Sequence, residues 1–297
     1  MPHPESKYIF VITTAVLAIV VLLVTTLTPP MTTLLPSTNT QTSTLSPKPQ
    51  SSRTSLLMTP REASVTAQAT KAVTLAKVQI LTYHYVEVNP NPKDRLRTGL
   101  AVTPSNFGDQ LDYLDQQQIT PITLSDYYNI LDGKLKTPVH PVILTFDDGY
   151  ADFFANAYPL LLKHHFKAVS FIITGSIGKS NYMTWDQIKE IQQSGLIEFE
   201  DHTVTHPDLR RLSYKAIYDE FYNSKVALET QTGSKVEYVA YPYGYFNDTA
   251  LKAAQAVGFV GGVSTRGGIA AGKSRTLPRD NVNGYTTMQR FEQIVGK

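Results

Sequence analysis

From Val78 onward, short apolar runs alternate with longer segments of mixed character. Residues 78–83, 122–124, 141–146, 168–174, 196–200, 236–241 and 259–264 predict strands, with a last one at 275–282. The segments between them carry helix punctuation. Thr103-Pro104 supplies an N-cap and a first-turn proline for a helix to about residue 117. Ser125 is expected to cap a helix that stops before Gly133, and residues 151–164 predict another. Thr184 and Gln187 form a capping box, and Gly195 closes that helix. Ser213 opens a long helix to about Thr232, and Asn247 opens one that Gly258 ends. Repeated strand–helix alternation predicts an α/β fold with a parallel sheet. Seven or eight such units close as a barrel, whose chemistry sits at the C-terminal ends of the strands.

The first 75 residues read differently. Tyr8 to Leu27 is a run of 20 residues without a charge, enough for a helix of about 30 Å, the thickness of a bilayer core. Lys7 precedes it and the next basic residue is Lys48, which orients residues 1–7 to the cytoplasm and the rest outside. A cleaved signal peptide is the rival, but the run is long and Val24-Thr25-Thr26-Leu27 lacks a small-x-small site. Residues 28–75 are expected to be a disordered spacer, since 21 of the 33 residues from Thr28 to Pro60 are Thr, Ser or Pro. The expected organisation is therefore a cytoplasmic N-terminus (1–7), a membrane anchor (8–27), a spacer (28–75) and one extracellular domain (76–297).

Charge and cysteine content narrow the function classes. Five of the 27 basic and two of the 25 acidic groups lie in residues 1–75, leaving 22 against 23 in the domain. A near-neutral domain argues against a nucleic-acid partner. With no cysteine, thiol nucleophiles, disulfides and Cys-ligated metals are excluded.

Reactive residue types cluster just after the expected strands. Thr145-Phe146-Asp147-Asp148-Gly149 places two carboxylates at a strand end, although a plain Asp-Gly turn reads the same residues. Asp201-His202-Thr203-Val204-Thr205-His206 spaces two histidines at i and i+4, on one side of a helical turn. With Asp148 they compose a His₂-carboxylate set, an open metal site; paired surface histidines are the alternative. Tyr241-Pro242-Tyr243-Gly244 is a stiff aromatic loop suited to an oxyanion or a sugar face, or an ordinary turn.

In this order and spacing, TFDDG, HTVTH and PYG resemble the polysaccharide deacetylases, the NodB-homology domain of carbohydrate esterase family 4, over about residues 78–295. The resemblance implies a deformed (β/α)₇ barrel, one divalent metal, usually Zn²⁺, and hydrolysis of acetyl groups on a polysaccharide. It makes Asp147 the catalytic base, and Asp148, His202 and His206 the metal ligands. It assigns the backbone N–H of Tyr243 to the oxyanion hole, with Tyr241 and Pro242 beside the substrate. A monomeric catalytic domain is expected.

Three departures are informative. None of the seven histidines lies after His206, so the usual C-terminal acid is missing. His84, in Leu81-Thr82-Tyr83-His84-Tyr85, looks like the N-terminal YH motif of the poly-N-acetylglucosamine deacetylase branch and is the candidate general acid. Ala240 stands where many members carry an arginine that orients the base; Arg279, in Leu277-Pro278-Arg279-Asp280, is the candidate replacement. Glu200 stands where glycine is common, either reshaping its loop or narrowing the cleft. The expected function is N-deacetylation of a surface GlcNAc polymer, poly-β-1,6-GlcNAc before peptidoglycan. An O-acetyl esterase and a non-catalytic glycan-binding protein are the alternatives.

Overall fold

The computed structural model describes residues 77–296, all within the compact unit Gln68–Lys297. The expected anchor and spacer lie outside the described residues. Among those described, no helix is long and apolar enough to cross a membrane.

The chain begins with β1 (Val78–Tyr83) and a two-residue β2 (Tyr85–Val86). Then come α1 (Arg95–Leu100), β3 (Ala101–Val102), α2 (Pro104–Gln116), β4 (Thr120–Pro121) and α3 (Leu124–Leu131). The central run is β5 (Pro141–Phe146), α4 (Tyr158–His164), β6 (Ala168–Ile172), α5 (Trp185–Gln192), β7 (Ile197–Asp201) and α6 (Tyr214–Thr232). It ends with β8 (Tyr238–Ala240), α7 (Asp248–Val257), β9 (Gly261–Val263), β10 (Ile269–Ala270), β11 (Asp280–Asn281) and α8 (Met288–Val295).

Strands β1-β5-β6-β7-β8-β9 lie side by side in that order, all parallel. The sheet curls until its ends approach. The segment from Leu277 to Asn281 bridges them: Leu277 pairs with Val263 of β9, while Asp280 and Asn281 pair with Leu81 and Thr82 of β1. The expected last strand at 275–282 is thus short, and the barrel is closed by a few residues rather than by a full seventh strand. Proline at 278 lacks an N–H for a ladder, which suits a strand kept this short.

Alternate strand residues face opposite sides. Ile80, Ile143, Val169, Phe171 and Val263 fill the inside of the curl, where α3 adds Tyr127, Tyr128 and Ile130. Leu81, Tyr83, Leu144, Phe146 and Ile172 face the larger core beneath the outer helices. Burial on both faces explains why the strands read as continuous apolar runs.

Local signals place most helices where expected. Thr103, Thr184, Ser213 and Asn247 each accept the expected backbone N–H, and Gly233 and Gly258 end their helices in the left-handed region. The expected Ser125 cap is corrected to Thr123. Thr123 and Asp126 form the capping box, while Ser125 hydroxyl donates to Glu198. Residues 122–124 consequently form a strand-to-helix turn rather than a strand. The expected helix 151–164 opens as a π-helical turn at Phe153–Ala157 before α4.

Thr123→Ala is expected to lower the unfolding free energy by about 1 kcal/mol, the usual worth of a helix cap, measured by urea denaturation.

Candidate active site

The site is built at the C-terminal ends of the parallel strands. Asp147 follows β5, and its backbone N–H donates to Tyr83 of β1. Its carboxylate is buried and receives both arms of Arg279: Nη1 to Oδ1 and Nη2 to Oδ2, each at 2.8 Å. Arg279 is fully buried. Its Nη1 also donates to Thr145 Oγ1 at 2.9 Å, its Nε to the Ser264 carbonyl at 3.0 Å, and its guanidinium lies 5.4 Å over the Phe171 ring. Burial alone pushes the Asp147 carboxyl up, but the Arg279 charge and hydrogen bonds, with His202 and His84, hold it below the usual range.

Asp148 turns the other way, through a left-handed backbone (φ 77°). Its Oδ1 lies 3.4 Å from His202 Nε2 and 3.8 Å from His206 Nε2. This oxygen is buried and forms no hydrogen bond. One donor atom from each of the three side chains falls within 4.8 Å of the others. His202 Nδ1 faces the Ala240 carbonyl at 2.7 Å, so its proton belongs there and Nε2 keeps a lone pair toward Asp148. Burial, and then His202, push His206 down to about 4, which keeps its imidazole neutral. Burial also pushes His202 down, but Asp148 and Asp147 outweigh it and raise the group. A buried orphan oxygen facing two imidazole nitrogens fits a divalent cation.

His202 and His206 do not share a helical turn, as their spacing suggested. They lie on the loop after β7, with Thr203 (φ 67°) and His206 (φ 57°) both left-handed. The Asp201 carboxylate accepts the Thr203 N–H at 2.8 Å, and Thr203 Oγ1 accepts the His206 N–H at 3.0 Å.

His84 follows β1, the strand beside β5, and lines the same open cleft of about 470 Å³ as Asp147, Asp148, His202 and His206. Tyr150, Tyr182 and Tyr243 add aromatic walls, and Leu96 and Leu100 an apolar one. Tyr85 stacks on Tyr150 at 3.9 Å between ring centroids. Tyr243 is exposed, left-handed (φ 59°), and packs edge-on against His206 at 4.4 Å. Pro242 is buried beneath it. Tyr241 borders the cleft as expected, but its ring is buried against Phe246 and Phe221. Glu200 does not narrow the cleft. It is buried, and its carboxyl accepts the N–H groups of Glu237 and Tyr238 where β8 begins. Leu96, Leu100 and Tyr182 were not singled out in the sequence, because only the fold brings them to the cleft.

A sequence model described as Polysaccharide deacetylase matches residues 134–262. The chain is 32% identical over 196 residues to YxkH of Bacillus subtilis, assigned to the polysaccharide deacetylases; the match covers 66% of this chain and 67% of that protein. This chain belongs to the polysaccharide deacetylase family. The deacetylase is also 32% identical over 179 residues to a poly-beta-1,6-N-acetyl-D-glucosamine N-deacetylase of Staphylococcus aureus, spanning 55% of this chain and 61% of that relative. Among solved structures, the Streptococcus pyogenes deacetylase PplD in complex with acetate superposes with a TM-score of 0.69 at 33% identity, covering 75% of this chain and 99% of PplD. Membership makes the enzyme a hydrolase.

Arg279→Ala leaves the deacetylase with a buried, unpaired Asp147 and is expected to cost about 3–5 kcal/mol at neutral pH. In the wild type the depressed Asp147 pKa contributes stability above the unfolded value, and this is lost as pH falls through the folded one. In the variant burial is opposed only by His202 and His84, so the Asp147 pKa moves up from its wild-type value and protonation relieves the penalty. The stability gap between the two proteins should narrow on acidification, as read by urea unfolding at several pH values.

Proposed function

We propose that this deacetylase removes N-acetyl groups from an extracellular GlcNAc polymer, poly-β-1,6-GlcNAc, using a divalent cation held by Asp148, His202 and His206. The observation that carries the reading is the double grip of Arg279 on Asp147, in a cleft that His84 also lines. The staphylococcal relative favours the glycan.

Asp148, His202 and His206 would hold a divalent cation, for which zinc suits two imidazoles and a carboxylate; when bound it would supply Lewis acidity toward water and the acetyl carbonyl. Asp147, kept ionised by Arg279, takes the proton of the attacking water. Its fixed, bidentate orientation keeps a carboxylate oxygen lone pair aimed at the cleft. The Tyr243 N–H is the donor for the oxyanion as charge develops on the acetyl oxygen. His84 gives its proton to the departing nitrogen as the C–N bond breaks, leaving acetate and a free amine. The exposed Tyr243 ring stacks on a pyranose face beside the reacting residue.

The uncharged run from Tyr8 to Leu27 supports a retained single-pass anchor, with the Ser/Thr/Pro spacer holding the domain outside the membrane. That position brings the cleft to a surface polysaccharide.

The full chain, purified in detergent with added Zn²⁺, is expected to release acetate from poly-β-1,6-GlcNAc in preference to peptidoglycan and acetylxylan. Preference for another glycan overturns the substrate; silence on all three with metal bound overturns catalysis.

Asp148→Ala should lose bound metal by elemental analysis, and wild-type content would remove it from the ligand set. His84→Ala should keep the metal and lose about 10²–10⁴-fold in turnover; near-normal acetate release would move the acid role elsewhere.

A further inference from the structure

The loop between the two histidines, Thr203-Val204-Thr205, is gripped from both sides. On one side, the end of β6 reaches it: Thr174 N–H donates to the Thr203 carbonyl at 3.2 Å and Gly175 N–H to the Val204 carbonyl at 3.0 Å. Any side chain at 175 would put its Cβ 2.5 Å from that carbonyl oxygen. On the other side stands Glu220 of α6. Its Oε2 accepts the N–H groups of Val204 (2.9 Å) and Thr205 (2.8 Å), and its Oε1 accepts the Thr205 hydroxyl at 2.8 Å. Among the described residues Glu220 forms no ion pair, so both carboxylate oxygens serve this loop.

The loop needs such a grip. A β-branched residue in the left-handed region is an outlier, and Thr203 and His206 are both there. Conformations of this kind persist only where surroundings over-determine them. Left to itself the segment would relax, and the His206 ring would leave the position facing Asp148.

We infer that Glu220 is a positioning residue for the metal centre: its carboxylate clamps the Val204–Thr205 backbone between the left-handed Thr203 and His206, so that His202 and His206 present their nitrogens to one cation together with Asp148. The inference rests on those three side chains being the metal ligands. Groups that orient ligands in this indirect way typically change metal affinity by about 10–100-fold when removed. Glu220 is spared a large role in packing, since α6 is anchored by Ile217, Phe221 and Leu228. Alanine is also the better helix former at that position.

The test uses the full chain stripped of metal and titrated with Co²⁺ against a chromophoric chelator, with the visible Co²⁺ absorption as a signature of coordination geometry. Glu220→Ala is expected to weaken Co²⁺ binding about 10–100-fold and to change the spectrum, while the metal-free variant melts close to metal-free wild type. Glu220→Gln retains an oxygen that accepts both N–H groups, and the Thr205 hydroxyl can turn to accept from its amide. It should restore affinity to within about threefold, small beside the full effect of losing the clamp. Wild-type affinity and spectrum in Glu220→Ala would overturn the clamp alone. So would a metal-free Glu220→Ala protein already unfolded where wild type is folded, since Glu220 would then be a stability residue. A wild-type chain that takes up no Co²⁺ would overturn the ligand assignment itself, and the clamp with it.

Discussion

The ion pair between Asp147 and Arg279 is the constraint around which the top of the barrel is arranged. Two charges withdrawn from water cost several kcal/mol each unless their geometry and remaining hydrogen bonds compensate. Here the compensation is thorough. Both carboxylate oxygens take a guanidinium N–H, and Thr145 and the Ser264 carbonyl take two further donors. These partners come from three places: the end of β5, the residue after β9, and the segment that joins β9 to β1. The pair therefore exists only when the barrel is closed. Closure in turn is favoured by the need to neutralise Asp147. One contact thus ties the fold's last topological step to the charge state of the proposed base.

Around that pair the adjacent aspartates are given different work by backbone geometry. Asp147 stays in line with its strand and points into the guanidinium. Asp148, with a positive φ, turns toward two imidazoles. The separation recurs on the loop after β7, where left-handed residues again redirect side chains over a short distance. Gly149 follows at φ 80°, a backbone that strains any side chain, and a Cβ there would sit 3.1 Å from Ile172 Cδ1 and crowd it. Rigid strands thus deliver the reactive residues, and a few unusual backbone conformations aim them.

Much of this was legible in the chain itself. TFDDG, HTVTH and PYG announce themselves because reactive groups at strand ends have few structural reasons to be there. His84 and Arg279 became candidates by asking what should replace residues missing from the family pattern; His84 lines the cleft and Arg279 grips Asp147. What stayed hidden depends on partners far away in sequence. HxxxH spacing suggested a helical turn, yet Thr174, Gly175 and Glu220 hold the segment in a loop, and no local signal encodes those bonds. Tyr241 borders the cleft as its neighbours do, but the alternation of the strand sends its ring into the core. Ser125 was a plausible cap, but Thr123 two residues earlier has Asp126 at the reciprocal position. The helices α1 and α8 were not foreseen, although Asp94 and Thr287 act as their caps and Phe291 and Ile294 mark the buried face of α8.

Arg279 follows Asp147 by 132 residues in the chain, and this has a consequence for biosynthesis. A ribosome emits the strands in order, and Asp147 appears long before its counter-ion. Until the segment that joins β9 to β1 emerges, the carboxylate has no partner with which to enter the core, so the upper barrel must wait in a hydrated state. The centre is therefore assembled only after Arg279 has been synthesised, whatever has already folded before it. A chain that stalls before Arg279 carries all three signature motifs and still lacks the counter-ion of Asp147.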